Sequence, residues 1–238
     1  MNTERLVNGL TQMGVSFDRR AIERFEAFHA ILDEYNARMD LTAVLDEDER
    51  VDRHFLDSAA PLAQGLIAPQ AKIIDVGTGA GFPGMPLLIL QPDMQMTFLD
   101  ALQKRIGFLE DALSRLGLRA ATLHARAEDA ARMEAHREMY DAAVSRAVAG
   151  AAVLQELTLP FVREGGLSVA WKGPGVQEEM TAARRAAFVL GGTVRGVVPA
   201  PIPGRDDWQH MLLLTDKTGK TPKTYPRKAG TPGRKPLA

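Results

Sequence analysis

Two hydrophobic periods divide the chain. Through about residue 70 the apolar positions recur every three or four residues. Ile22, Phe25, Phe28, Leu32, Tyr35 and Met39 form one such stripe, which predicts an amphipathic helix. Asp46-Glu47-Asp48-Glu49 supplies acids for the first turn of a further helix carrying His54, Asp57 and Ser58. From Lys72 the pattern changes to short apolar runs at 73–76, 96–99, 121–123, 142–144 and 167–171, separated by helical stretches. Strands alternating with helices predict an α/β fold, a mostly parallel sheet with helices on both faces. Two later runs, 193–198 and 211–214, have little helix between them and are expected to close the sheet antiparallel. The expected division is a helical cap over 1–70, a core over 71–216 and a basic, proline-rich tail over 217–238.

Composition narrows the class. With 45% hydrophobic and 25% charged residues, the 238-residue chain has the mix of a globular protein rather than a rod or a disordered polymer. The absence of cysteine excludes disulfides, a thiolate nucleophile and Cys-based metal sites. The five histidines (29, 54, 124, 136, 210) contain no His-x-x-x-His pair, so no metal is expected. The N-terminus shows no signal peptide, and the longest uncharged run, 76–92, is broken by four glycines and three prolines. A cytoplasmic, soluble monomer with no membrane partner is the expectation.

Charge is distributed unevenly. Lys217, Lys220, Lys223, Arg227, Lys228, Arg234 and Lys235 are seven bases with no acid among them. Setting those seven aside leaves 22 bases against 30 acids in the body, a net of −8. A basic tail on an acidic body suggests a polyanion met by one face; a solvated terminus is the plainer alternative.

The chemistry concentrates after the first predicted strand, in Asp75-Val76-Gly77-Thr78-Gly79-Ala80-Gly81-Phe82-Pro83-Gly84. Glycines at alternate positions let the backbone turn sharply and approach a ligand, so a nucleotide-type cofactor loop is expected. Gly79-x-Gly81-x-x-Gly84 formally fits a dinucleotide fingerprint, and Asp100, 21 residues past Gly79, stands where a ribose-binding acid would. Asp100 with Gln103 also forms an Asp-x-x-Gln capping box, so it has a structural alternative. Asp75 at the strand mouth would repel a pyrophosphate and suits a cationic ligand, such as the sulfonium and amino group of S-adenosylmethionine. No phosphate-binding Gly-x-x-x-x-Gly-Lys loop is present, and 166–170 fails the nucleophile-elbow pattern.

Asp75 to Gly84 resembles motif I of class I S-adenosylmethionine-dependent methyltransferases, and the form Gly-Thr-Gly-Ala-Gly-Phe-Pro-Gly resembles the bacterial RsmG (GidB) family. The resemblance runs over nearly the whole chain. It takes in Asn36 with Met39-Asp40-Leu41-Thr42-Ala43, His54-Phe55-Leu56-Asp57-Ser58, Leu99-Asp100-Ala101 with Lys104-Arg105, and Ala127-Glu128. It continues with Ser145-Arg146-Ala147, Lys172-Gly173 and Tyr225-Pro226-Arg227-Lys228-Ala229-Gly230-Thr231-Pro232. Asp40, where the family usually has Asn, and Ala101, where Ser is common, depart from the pattern.

The resemblance implies a Rossmann-like methyltransferase sheet with a helical N-terminal cap. The implied reaction is methyl transfer from S-adenosylmethionine to guanine N7 in 16S rRNA of the small ribosomal subunit. Asp75, Gly77, Gly79, Phe82, Asp100, Ala127, Glu128 and Arg146 would hold the cofactor, with Arg146 positioning rather than acting as a base. His54, Asp57, Lys172, Tyr225, Arg227, Lys228, Arg234 and Lys235 would meet RNA, the tail doing so without touching the cofactor site. The alternatives are an NAD(P)-dependent oxidoreductase and a non-catalytic RNA-binding or assembly protein on the same scaffold.

Overall fold

The structure, a computed structural model, describes residues 1–44, 46–146 and 148–237. Its N-terminal part is helical: α1 (Thr3–Gln12), α2 (Arg19–Met39), α3 (Glu47–Arg50), a π-helical turn (Val51–Leu56) and α4 (Asp57–Ala63). The side chains of Asn2, Asp18 and Asp46 accept first-turn N–H groups at the starts of α1, α2 and α3. The apolar stripe of α2 faces inward, and Phe28 neighbours three rings: Phe82 at 5.8 Å, and Phe55 and Phe108 at 6.3 Å between centroids. The cap therefore shares one hydrophobic core with the sheet. Asp40 ends α2 in the left-handed region at φ 48°. Asp and Asn are the residues that tolerate this region best after glycine, so the departure at this position keeps the helix stop intact.

Seven strands follow: β1 (Lys72–Val76), β2 (Gln95–Asp100), β3 (Ala121–His124), β4 (Tyr140–Arg146), β5 (Val162–Lys172), β6 (Gly192–Pro199) and β7 (Met211–Lys217). They lie in the order β3-β2-β1-β4-β5-β7-β6. The first five pair parallel, and β7 runs antiparallel between β5 and β6, as the late apolar runs predict. The connecting helices are α5 (Gly84–Leu90), α6 (Gln103–Leu116), α7 (Ala127–Ala130), α8 (Ala151–Thr158) and α9 (Val176–Val189); α10 (Thr231–Arg234) lies near the C-terminus.

The strand order reverses between β1 and β4. The chain moves outward through β2 and β3, then returns to the other side of β1. Loops leaving β1 and β4 consequently diverge, and a crevice opens at the carboxyl ends of these strands.

The start of the expected tail needs correction. Lys217 closes β7 and is buried at 1% exposure. Its ammonium donates to Glu138 Oε1 (2.9 Å), Leu159 O (2.9 Å), Val162 O (3.0 Å) and Thr221 Oγ1 (2.9 Å). A buried ammonium needs such partners, and these leave none of its donors for an outside polyanion.

Candidate functional site

The glycine loop between β1 and α5 has the conformation its composition predicts. Gly77, Gly79 and Gly81 take φ of 71°, 59° and 89°, a region that excludes most side chains. A Cβ on Gly77 would lie 2.7 Å from Val148 Cγ2, whereas one on Gly79 would enter open space. Asp75 holds the loop from beneath. Its Oδ2 accepts from Thr78 Oγ1–H (2.7 Å) and from the Gly84 N–H (2.9 Å). The carboxyl is fully buried, its Oδ1 has no partner, and desolvation pushes its pKa up to about 6. The expected direct contact between Asp75 and a cationic ligand is thus corrected: the side chain is enclosed and braces the loop.

Asp100, at the end of β2, reaches the loop from the side. Its Oδ2 accepts from the Gly79 N–H (3.0 Å) and from Arg105 (3.4 Å), and its Oδ1 accepts from the Leu102 N–H (2.9 Å). The capping box with Gln103 does not form, because the extended residue Leu102 precedes α6 and the Asp100 carboxylate turns toward Gly79.

The crevice has two lobes that share Gly77, Asp100, Ala101, Arg126 and Val148. The smaller, of about 270 Å³, is mostly apolar, with Val76, Leu99, Ala127, Val153 and Leu157 in its walls. The larger, of about 580 Å³, is more polar, with as much polar as apolar lining, and is bounded by Leu41, His54, Thr78, Phe82, Arg105 and Arg146. A flat apolar base, a ribose beside Asp100 and a polar chain toward Arg146 fit this sequence of surfaces.

Arg146, at the end of β4, joins the core to the cap. Its NH1 donates to Arg53 O and to Asp57 Oδ2 (3.1 Å), and its NH2 donates to His54 Nδ1 (3.3 Å). Arginine can only donate, so His54 Nδ1 is the acceptor and the proton resides on Nε2. That Nε2–H donates to Thr42 Oγ1 at 2.7 Å. The ring stacks on Phe82 with centroids 4.4 Å apart. Burial, aided by the Arg146 charge, holds the His54 pKa down to about 3, so the imidazole is neutral near pH 7. The π turn is what carries Arg53 and His54 into this position, and such turns recur at functional sites.

Asp57 is buried and fully engaged. Besides Arg146 it accepts from His210 Nδ1 (2.9 Å), and its carbonyl accepts from Trp171 Nε1 (3.0 Å). The expectation of a substrate contact at Asp57 is therefore corrected: through its carboxylate and its carbonyl this residue locks the cap, β4, β5 and the residue just before β7 together. His54 does reach the crevice. Lys172, also expected to meet RNA, is tied to Glu179 (2.8 Å) and the Ala149 carbonyl (3.4 Å). Ala147 of the Ser-Arg-Ala motif lies outside the described residues.

The C-terminal segment departs furthest from expectation. Arg227 donates from its backbone N and its guanidinium to Glu156, which is wholly buried in α8. Tyr225 is half-buried against Leu159, Ala187 and Leu190, where it packs instead of presenting a face for a base. Arg132 and Arg137 of the core donate to carbonyls of Thr221, Thr224, Tyr225 and Pro226. Glu128 Oε1 accepts from the Gly230 N–H at 2.7 Å. The expected contacts of Tyr225 and Arg227 with RNA are corrected accordingly, and the Glu128 carboxylate is turned to the tail. Lys228, Arg234 and Lys235 remain exposed.

Three further residues belong to the site. Asn36 exchanges two hydrogen bonds with the Thr42 backbone (2.8 and 3.0 Å), which presents the Thr42 hydroxyl to His54. Their short spacing, six residues apart around a helix stop, was the available signal. Arg126, exposed at the N-terminus of α7, lines both lobes, and nothing in its local sequence marks it. Among the described residues no cluster of metal-ligating side chains occurs, and no helix is long and apolar enough to cross a membrane.

A family model described as rRNA small subunit methyltransferase G matches residues 21–202. The ribosomal RNA small subunit methyltransferase G of Clostridium perfringens is 41% identical over 226 residues, covering 94% of each chain. That of Leuconostoc citreum is 40% identical over 241 residues and covers both chains completely. Among solved structures, precorrin-6y C5,15-methyltransferase from Geobacter metallireducens superposes with a TM-score of 0.51 at 15% identity, covering 74% of this chain and 92% of its own. That likeness establishes the α/β methyltransferase fold.

Proposed function

We propose a reaction from one premise: this chain belongs to the rRNA small subunit methyltransferase G family. It transfers the methyl group of S-adenosylmethionine to N7 of a guanine in small-subunit rRNA. The observation that carries this reading is the two-lobed crevice at the β1–β4 reversal, with the glycine loop and Asp100 beside the apolar lobe and a cluster of neutral His54 with Arg146 at the polar one. The oxidoreductase and non-catalytic alternatives find no support among the relatives.

The cofactor fits the residues present. The φ of Gly79 and the open space at its Cβ position leave its backbone free to approach a ligand. Asp100 keeps lone pairs available to ribose hydroxyls beside its three existing donors, and Leu99, Ala127 and Val153 enclose an adenine-sized apolar space. When bound, the cofactor supplies a methyl group made electrophilic by its sulfonium. Asp75 keeps the glycine loop in register beneath it.

Guanine N7 has an in-plane lone pair and no proton, so the reaction requires no general base. The protein's task is to align the two partners and exclude water. Arg146 serves this as a strut: its donors hold the Arg53 carbonyl, Asp57 and His54, and its charge is balanced by Asp57. Neutral His54 and Phe82 give the target base an uncharged surface, on which the positive charge of the N7-methylated product meets no unbalanced cation.

The test is single-turnover transfer from labelled S-adenosylmethionine to small-subunit rRNA, with the product nucleoside identified by mass spectrometry. The expected product is 7-methylguanosine, formed at a rate nearly constant from about pH 6.5 to 8.5. Another methylated nucleoside, or a steep rise controlled by one ionisation, overturns the reading.

A further inference from the structure

The family match ends at residue 202, yet residues beyond it form part of the crevice. Gly230, Pro232 and Gly233 line the apolar lobe across from Gly77 and Leu99. We infer that this C-terminal segment is a wall of the cofactor site, closing the adenosine end of the cleft. The inference rests on the S-adenosylmethionine reading of the lobe and deepens it.

Three observations carry it. The first is position: Pro232 is buried, and with Val153 and Leu157 of α8 it completes an apolar surface that strands and glycine loop leave open. The second is attachment. Two buried carboxylates, Glu128 and Glu156, take the Gly230 N–H and the Arg227 side chain, and Arg132 and Arg137 grip the carbonyls before them. Burying a carboxylate is unfavourable unless it is paired, so each glutamate favours the docked segment. The third is chemical. Glu128 belongs to the same short helix as Ala127, which lines the lobe, so the tether and the cofactor surface move as one. The bases that tie the tail down are thereby distinct from Lys228, Arg234 and Lys235, which stay in solvent. The sequence expectation that the tail leaves the cofactor site alone is replaced by the opposite one.

Hydrogen exchange on the full-length protein, with and without saturating S-adenosylhomocysteine, tests the inference without any mutation. The 77–84 loop and the 229–234 segment are both expected to exchange more slowly when the ligand is bound. Protection of the loop with no change in the segment overturns the inference and leaves the cofactor reading standing. No protection in either overturns the cofactor reading, and the inference with it. Calorimetry supplies the second arm. A chain ending at Lys228 keeps the Arg227–Glu156 pair, and its affinities for S-adenosylhomocysteine and for adenosine are both expected to fall at least tenfold. Affinity within twofold of wild type, in a protein with the wild-type circular dichroism spectrum, overturns the wall. If that chain does not fold, the exchange measurement on the intact protein decides.

Discussion

His54 shows how one side chain's environment sets its chemistry. Its folded pKa is about 3 against about 6.5 for a free imidazole, chiefly because it is buried. Above pH 6.5 the ring is neutral in both folded and unfolded chains and contributes no pH dependence. As pH falls below 6.5 the unfolded chain takes up a proton that the folded one refuses, so stability is lost progressively down to about pH 3. Between pH 6.5 and 4.5 this amounts to at most about 2–3 kcal/mol. His54→Gln is expected to flatten the acid limb of the stability curve, read as urea midpoints at several pH values. Identical acid limbs for the two proteins would contradict the buried, neutral imidazole. Asp100 makes a second residue-scale case, since it braces Gly79 and faces both lobes. Asp100→Ala is expected to weaken cofactor binding by about 1.5–3 kcal/mol, the range for hydrogen bonds to a charged group, as measured by calorimetry.

At the scale of elements, the glycine loop makes the sharpest prediction. Gly79 has a left-handed φ of 59° and open space where a side chain would go. Gly79→Val therefore meets no protein atom; its cost is a β-branched residue in that region, on the order of 1–2 kcal/mol. A folded protein that no longer binds S-adenosylmethionine is the expected outcome, and unchanged affinity by calorimetry would refute the loop's role. The glycine loop, the α2 stripe and all seven strands were legible in the sequence, because alternate glycines, a spacing of three and four, and short apolar runs leave different marks. The π turn was not: its residues 51–56 have the composition of any helix, and its wider turn is revealed only by the Asp57 N–H bonding to the Asp52 carbonyl. The capping reading of Asp100 failed because a carboxylate three residues before a helix had a better donor 21 residues back, at Gly79.

On the whole molecule, the tail's cations sort by their partners. Lys217 and Arg227 are taken up by Glu138 and Glu156, acids that lie 79 and 71 residues away in sequence, so local charge counting could not separate them from free bases. Lys228, Arg234 and Lys235 are exposed and are the ones to expect on a phosphate backbone. Reversing all three to Glu should flatten the slope of log affinity for rRNA against log salt by about 2–3 while leaving the docked segment in place. A wild-type salt dependence in gel-shift titrations would show that these bases stay in solvent. The same partnership explains why cap, core and tail cannot be separated at residues 70 and 216: Asp57 joins the first to the second, and the two buried glutamates join the second to the third.

The docking of residues 227–233 also has a consequence for synthesis. Translation proceeds from the N-terminus, so helices and sheet are made before the stretch that packs beside them. Until that stretch emerges, the Glu156 and Glu128 carboxylates lack the Arg227 and Gly230 donors they meet in the folded protein. Burying a carboxylate without a partner is unfavourable, so the native packing around α7 and α8 is completed only when the later stretch docks.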